Sequence, residues 1–127
     1  MRSGALPIVL ATALSWLGLY LHNVNDLPHQ TPQSPESALP GALLLMLLAA
    51  WAVRPLRRAC TIALLGWGWL NLVGGALSVL PLPIWPFYPE QTLHHYAWHA
   101  MYAVLQIPLL VVATRYLRDR RPSSRSN

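Results

Sequence analysis

Four long apolar runs, each nearly free of charged side chains, dominate this chain of 127 residues. Only 10% of the residues are charged and 54% are hydrophobic, whereas a soluble domain carries roughly 25% charged residues. So few charges cannot cover a surface that faces water, and the runs have the length of helices that cross a bilayer. The sequence therefore predicts an all-α integral membrane protein, a four-transmembrane-helix antiparallel bundle.

The membrane spans are predicted at about residues 5–21, 39–53, 59–80 and 92–117, within a single domain, residues 1–117. The first run lacks a small-x-small cleavage site, so we expect a retained helix rather than a signal peptide. The second span is short, because fifteen residues at 1.5 Å each cover only about 22 Å of the roughly 30 Å core. Residues 118–127 are rich in arginine and serine, which predicts a disordered tail.

The positive charges predict an orientation. All nine are arginines, and they flank the apolar runs at positions 2, 54, 57, 58, 115, 118, 120, 121 and 125. The loops at residues 22–38 and 81–91 contain neither lysine nor arginine. Because Lys and Arg are retained on the cytoplasmic side, both termini are predicted to be cytoplasmic (N-in/C-in) in a multi-pass protein of the plasma (inner) membrane.

The same arginines bear on the partners of the protein. They are predicted to converge on one leaflet, where each positive charge attracts anionic lipid by about 1 kcal/mol. They do not form a groove-lining patch, so no nucleic-acid partner is predicted. We therefore expect the lipid bilayer to be the principal partner, with anionic lipid at the inner leaflet.

The fourth span carries its polar residues at helical spacing. Thr92, His95, His99, Tyr102 and Gln106 follow one another at steps of three, four, three and four residues. Residues at this spacing form one continuous stripe on a helix. Because polar groups in lipid have no water to bond, the stripe is predicted to face the interior of the bundle.

Two histidines of this stripe are candidate metal ligands. His95 and His99 stand four residues apart, which lets two imidazoles approach one ion from a single helical turn. Further ligands on the same side of the predicted bundle are His22, Asp26, His29 and Glu90. No HExxH pattern accompanies the pair, so axial ligation of a haem, a proton path and plain interhelical hydrogen bonds stay open. The sequence selects no particular cofactor.

The third span offers a face for the polar stripe. Glycines at positions 66, 68, 74 and 75 let another backbone approach closely, and Asn71 can donate and accept hydrogen bonds across the gap. We predict that Asn71 faces the part of the stripe around Tyr102 and Gln106. Pro108 is predicted to kink the fourth helix near the same level.

The loop between the third and fourth spans combines prolines and aromatic residues. Four prolines within residues 81–90 predict a stiff, extended segment. Trp85, Phe87 and Tyr88 are predicted to anchor it at the headgroup level. A rigid cap over the bundle, or a docking surface for a larger partner, is the alternative.

These features support two functional hypotheses. The first is an accessory or structural subunit that packs with copies of itself or with a larger membrane complex. The second is a self-contained intramembrane binding protein or enzyme whose outward-opening pocket holds a small molecule, a metal or a haem. The candidate pocket residues are His95, His99, Tyr102, Gln106, Asn71, Glu90, His22 and Asp26, with His95 and His99 as the metal ligands. A nucleotide-binding loop and a Ser/His/Asp arrangement are missing from the sequence, which favours a role without catalysis.

Overall fold

The structure is a computed structural model that describes residues 5–119. That part of the chain contains no strand and has four main helices: α1 (Ala5–Asp26), α2 (Pro35–Ala52), α3 (Arg57–Leu70) and α4 (Leu93–Asp119). All four are long and apolar enough to cross a membrane, α3 as part of a longer segment, Arg54–Val79. The predicted all-helical class is therefore confirmed, as is the presence of four helices long and apolar enough to span a membrane. Most of the predicted tail, residues 120–127, lies outside the described residues.

The outward faces of the helices are apolar. Leu6, Leu39 and Leu45 keep 64%, 70% and 68% of their surface exposed. Contiguous apolar surface of this kind is unfavourable in water and favourable in lipid. The four helices thus have the surface of a membrane-embedded protein.

Two helices extend further than their apolar runs. α1 continues from the predicted end at residue 21 to Asp26, and α2 begins at Pro35, four residues before the predicted start. Asn23 joins the two extensions, because its Nδ2 donates to the Glu36 carbonyl oxygen at 3.1 Å and to Ser37 Oγ at 3.2 Å. Proline suits the first turn of a helix, where its missing N–H costs no hydrogen bond. With 18 residues, α2 reaches about 27 Å, close to the thickness of the hydrocarbon core.

The third span is not one regular helix. After α3 the backbone follows a π-helix at Asn71–Gly75 and a 3₁₀-helix at Ala76–Val79. The π-helix ends at Gly75, where a Cβ atom would stand 2.7 Å from Cε1 of Tyr102 on α4. A side chain at that position would collide with the Tyr102 ring, so the absence of one lets α4 approach closely.

The helices contact one another in ring order. α1 packs against α2 and α4, and α3 packs against the same two helices. At the end that carries the described arginines, the interior is an apolar cluster: Ile8, Ala11, Leu44, Trp51, Cys60, Leu64, Leu109 and Ala113. The Arg57 guanidinium lies 4.9 Å from the centre of the Trp51 ring and marks this end. The polar interior lies at the opposite end, and α4 runs through both ends without a break at Pro108.

Candidate functional site

Four side chains from α1 and α4 meet at the end of the bundle opposite the arginines: His22, Asp26, His95 and His99. We call these four the His–Asp cluster. Nε2 of His22 lies 3.1 Å from Nε2 of His99 and 3.1 Å from Oδ2 of Asp26. Nε2 of His99 lies 3.9 Å from the same carboxylate oxygen. Three atoms that can offer lone pairs therefore converge on one small volume.

His99 is the most firmly positioned member of the cluster. Its Nδ1 lies 2.8 Å from the carbonyl oxygen of Ala76, which can only accept, so Nδ1 carries the hydrogen. In the neutral imidazole Nε2 is then the unprotonated nitrogen, and its lone pair is on the side of His22 and Asp26. Histidines that bind metals are commonly held in this way, with a carbonyl or carboxylate on the second nitrogen.

The three converging atoms have the spacing of a metal site. The circle through His22 Nε2, His99 Nε2 and Asp26 Oδ2 has a radius of about 2.0 Å, and Zn²⁺ lies about 2.0–2.2 Å from such ligand atoms. An ion at the centre of this circle would lie in the plane of the three atoms, and a tetrahedral ion would draw the Asp26 carboxylate closer to His99 than 3.9 Å. The same spacing does not admit the plane of a porphyrin between the two imidazoles.

A single hydrogen can also hold these atoms together. His22 Nε2–H can donate either to His99 Nε2 or to Asp26 Oδ2, both at 3.1 Å. In the described part of the chain, Nδ1 of His22 is buried without a hydrogen-bond partner. His22 is thus less firmly fixed than His99, and a metal ion at this position would have to displace the hydrogen on His22 Nε2.

A polar pocket of about 220 Å³ leads from the cluster to the surface. Its lining residues are Asn25, Asp26, Glu90, His94 and His95. The exposed fraction of the side chains falls along this path, from 20% at Asp26 and 15% at His95 to 5% at His99. His95 Nδ1 lies 3.6 Å from Oδ1 of Asp26, the oxygen that faces away from His22 and His99. The cluster is therefore reached through the polar pocket.

The charge around the pocket favours a cation. Asp26 ends α1, where the helix dipole is negative and an acidic residue is locally unfavourable by about 0.3–1 kcal/mol. Glu90 adds a second carboxylate to the pocket, and neither lysine nor arginine lines it. A bound cation would offset both the dipole and the paired carboxylates. Departures from a local preference of this kind are typical of functional sites.

Below the cluster a column of buried polar groups continues toward the middle of the bundle. The Tyr102 hydroxyl donates to Oδ1 of Asn71, whose Nδ2 donates to the Trp67 carbonyl oxygen at 2.9 Å. One turn deeper, Ser15 Oγ donates to Oε1 of Gln106. Trp67 Nε1 donates to Ser15 Oγ at 3.2 Å. Among residues 5–119, this hydrogen-bonded column ends at Ser15 and Gln106, above the apolar cluster.

The structure distributes the predicted pocket residues over four levels. Glu90 lies at the mouth, and His22, Asp26, His95 and His99 form the His–Asp cluster. Tyr102 lies just below, with its ring centre 5.1 Å from that of His22, and it makes the predicted contact with Asn71. Gln106 is deeper still. His29, also considered as a ligand, is exposed in the α1–α2 loop with a φ of 54°, outside the cluster.

The structure groups His99 with two residues of α1. The ligand atoms of His22, Asp26 and His99 all lie within 4.8 Å of one another, and the use of His95 and His99 as metal ligands stays a prediction. The reason is the extension of α1, which carries His22 and Asp26, one turn apart, to the level of His99. His95 faces the other oxygen of Asp26 instead.

Four participants were missed by the sequence reasoning: Ser15, Trp67, Asn25 and His94. Asn25 Nδ2 donates to Asp26 Oδ1 at 3.0 Å, and Asn25 Oδ1 lies 2.9 Å from His94 Nε2. A signal for Ser15 exists in α1, because Ser15, His22 and Asp26 recur at helical spacing within an apolar run.

Comparison of the chain with protein-family models, curated proteins and solved structures gives no match. The fold and the site define a class nonetheless: a four-helix protein with a membrane-embedded surface and a histidine–carboxylate cluster at one end of its interior.

Proposed function

We propose that this protein is an intramembrane metal-binding protein whose His22, Asp26 and His99 hold a divalent transition-metal ion of the zinc class. The observation that carries the proposal is the triangle of ligand atoms, with sides of 3.1, 3.1 and 3.9 Å. The His99 tautomer set by the Ala76 carbonyl supports it, because that tautomer directs a lone pair into the triangle.

The ligand types support a transition metal over other cations. Two imidazoles and one carboxylate suit zinc and its neighbours, whereas magnesium and calcium favour oxygen ligands throughout. Three protein ligands leave a fourth position for water or an exchangeable group, which is the pattern of zinc sites that do more than support a fold. Binding and release of the ion are therefore the proposed function.

The proposed topology has the metal site on the outer side of the plasma (inner) membrane. Support comes from the arginines, which flank the α2–α3 turn and the end of α4, while the loops near the site contain none. In this topology the helices form an antiparallel bundle with both termini in the cytoplasm. The arginines then face anionic lipid at the inner leaflet.

The test is metal binding by the purified protein in detergent micelles. Metal content is measured by elemental analysis, and titration with Co²⁺ is followed by visible absorption, because cobalt reports tetrahedral nitrogen and oxygen ligands. We expect His99→Ala to weaken Zn²⁺ binding at least about a hundredfold. The substitution removes the ligand atom Nε2 and also Nδ1, which the Ala76 carbonyl oxygen holds in place. His29→Asn is the matched control, because Asn tolerates the positive φ at this exposed position. Equal affinity of the two variants would refute the proposal.

An accessory role is a second candidate, supported by the loop after the third span. Its apolar side chains project from the protein, with Tyr88 102% and Ile84 73% exposed. Trp85 and Phe87 stack at 6.1 Å between ring centres and stiffen the same loop. A larger membrane protein, or a second copy of this chain, is the proposed partner. Co-purification that is lost on Tyr88→Ser, with metal content unchanged, would support this role, and co-purification unaffected by that change would contradict it.

A further inference from the structure

Asp26 faces two different sets of groups with its two oxygens. Oδ2 lies toward His22 and His99, whereas Oδ1 lies 3.6 Å from Nδ1 of His95 and faces the polar pocket with Glu90. We propose that Asp26 bridges two metal positions: the inner one described above, and an outer one in the polar pocket. This inference rests on the proposed function, since it places a second ion of the same class beside the first.

The outer position has its own ligand groups. Oδ1 of Asp26 and Nδ1 of His95, 3.6 Å apart, provide two of them, and Glu90 lines the same pocket, where its side chain would turn toward this pair to complete the site. Asn25 Nδ2 already donates to Oδ1 at 3.0 Å, which leaves this oxygen a second lone pair. In two-metal sites the ions stand about 3.5–4 Å apart, a separation that a bridging carboxylate spans.

The pocket also has room for water that the inner position lacks. Its volume is about 220 Å³, and one water takes up about 30 Å³, so several waters fit beside an ion. The inner ligand His99 is only 5% exposed. The outer ion therefore keeps part of its hydration shell and exchanges with the solution more readily than the inner ion.

His94 belongs to the wall of the pocket. Its Nε2 lies 3.1 Å from Trp98 Nε1 and 2.9 Å from Asn25 Oδ1. In one tautomer this nitrogen accepts from Trp98, and in the other it donates to Asn25, so a single hydrogen bond at a time holds the ring in the wall of the pocket. The outer position lies between the surface and the inner one, so an ion on its way to His22 and His99 passes it and is handed over by the shared carboxylate.

The experiment is a Zn²⁺ titration of the full-length protein in detergent by isothermal calorimetry, with bound metal counted by elemental analysis after equilibrium dialysis. We expect two binding events per chain, the outer one weaker by at least about tenfold, because it has more solvent and fewer ordered ligands. Glu90→Gln is expected to leave one event. Glu36→Gln, at an exposed carboxylate that contacts Gln30, is the control and is expected to retain two.

Further variants separate a bridge from two independent sites. Asp26→Asn is expected to weaken both events at least about tenfold, because both ions share the carboxylate. If circular dichroism shows that Glu90→Gln does not fold, His95→Gln replaces it, and this variant is also expected to lose the outer binding event. His99→Ala removes the inner event.

Each result decides between the two proposals. A single event in the wild type that neither Glu90→Gln nor His95→Gln alters overturns the outer position and leaves the proposed function standing. If the wild type shows two binding events and Asp26→Asn weakens only one of them, the proposal that Asp26 bridges the two ions is wrong. No bound zinc in the wild type overturns the proposed function, and the outer position with it.

Discussion

Replacement of Gly75 by alanine tests how closely α4 approaches the third span. A Cβ atom at this position would lie 2.7 Å from Cε1, 2.9 Å from the hydroxyl oxygen and 3.1 Å from Cζ of Tyr102. All three distances are shorter than a carbon contact, and the ring cannot rotate away without losing its hydrogen bond to Asn71. Overpacking of this kind costs about 1–3 kcal/mol, and the interhelical bond adds about 0.6 kcal/mol.

Gly66 is the matched control within the same span. A Cβ atom there meets no atom within 4 Å, and the residue is exposed in the middle of α3. Gly66→Ala is therefore expected to be neutral or to stabilise the protein by up to about 1 kcal/mol, because alanine favours helix over glycine. Gly75→Ala is expected to lower the free energy of unfolding by about 1.6–3.6 kcal/mol, the sum of the overpacking and the lost hydrogen bond.

The assay is reversible unfolding in mixed micelles of mild detergent and dodecyl sulfate, followed by circular dichroism. The difference between the two variants isolates the contact with Tyr102, since both replace glycine by alanine in one span. If Gly75→Ala is as stable as Gly66→Ala, the close approach of the Tyr102 ring to Gly75 is wrong.

Three further predictions concern the hydrogen bonds, the orientation and the ion. A double-mutant cycle of Tyr102→Phe and Asn71→Leu is expected to show a coupling of about 0.6–1.7 kcal/mol in the same unfolding assay, and zero coupling would contradict the bond. The orientation is tested by cysteine labelling in a Cys60→Ala background with a membrane-impermeant maleimide. Gln33→Cys is expected to react on intact cells, and Leu56→Cys only after permeabilisation. The reverse labelling would show that the proposed orientation is inverted. Lowering the pH from 8 to 5 is expected to weaken Zn²⁺ binding in calorimetry, because protons compete for the imidazole lone pairs, and a pH-independent affinity would argue against histidine ligands.

The four helices could be predicted because lipid allows few other structures. A backbone in hydrocarbon must satisfy its own hydrogen bonds, so a long apolar run becomes a helix whatever its neighbours are. The bounds near residues 22–38 were harder to predict. A polar residue can avoid lipid either in a loop or in the interior of a bundle, so polarity alone does not mark the end of a helix. His22 and Asn23 belong to α1 and lie in the interior of the bundle.

The candidate site was predictable on α4 and only partly on α1. His99, Tyr102 and Gln106 are buried, as their stripe predicts. On α1 the signal is weaker, because serine and threonine often bond to their own helix, as Thr12 does to the Ile8 carbonyl oxygen at 2.8 Å. The convergence of the two stripes depends on how the helices pack, which no single helix encodes.

The π-helix at Asn71–Gly75 was not predictable from local sequence. Nothing in the run from Asn71 to Gly75 distinguishes a π-helix from an α-helix that contains glycines. The irregular backbone accompanies the contact between Gly75 and the Tyr102 ring, and Tyr102 lies 27 residues further along the chain. Such segments often occur at functional sites, and here Ala76, just beyond it, anchors His99.

The apolar cluster that closes the bundle has an electrical consequence. His22 precedes the end of α1 by four residues, about 6 Å. With the end of α1 at the edge of a core roughly 30 Å thick, an ion bound as proposed would lie about a fifth of the way across. One elementary charge across 100 mV corresponds to about 2.3 kcal/mol, so a divalent ion there would experience about 0.9 kcal/mol per 100 mV. The remaining four-fifths of the voltage would fall across packed side chains such as Leu64 and Leu109, both 0% exposed. Under the proposed function, the field would adjust the occupancy of the site severalfold, and the apolar cluster would insulate the ion from the other leaflet.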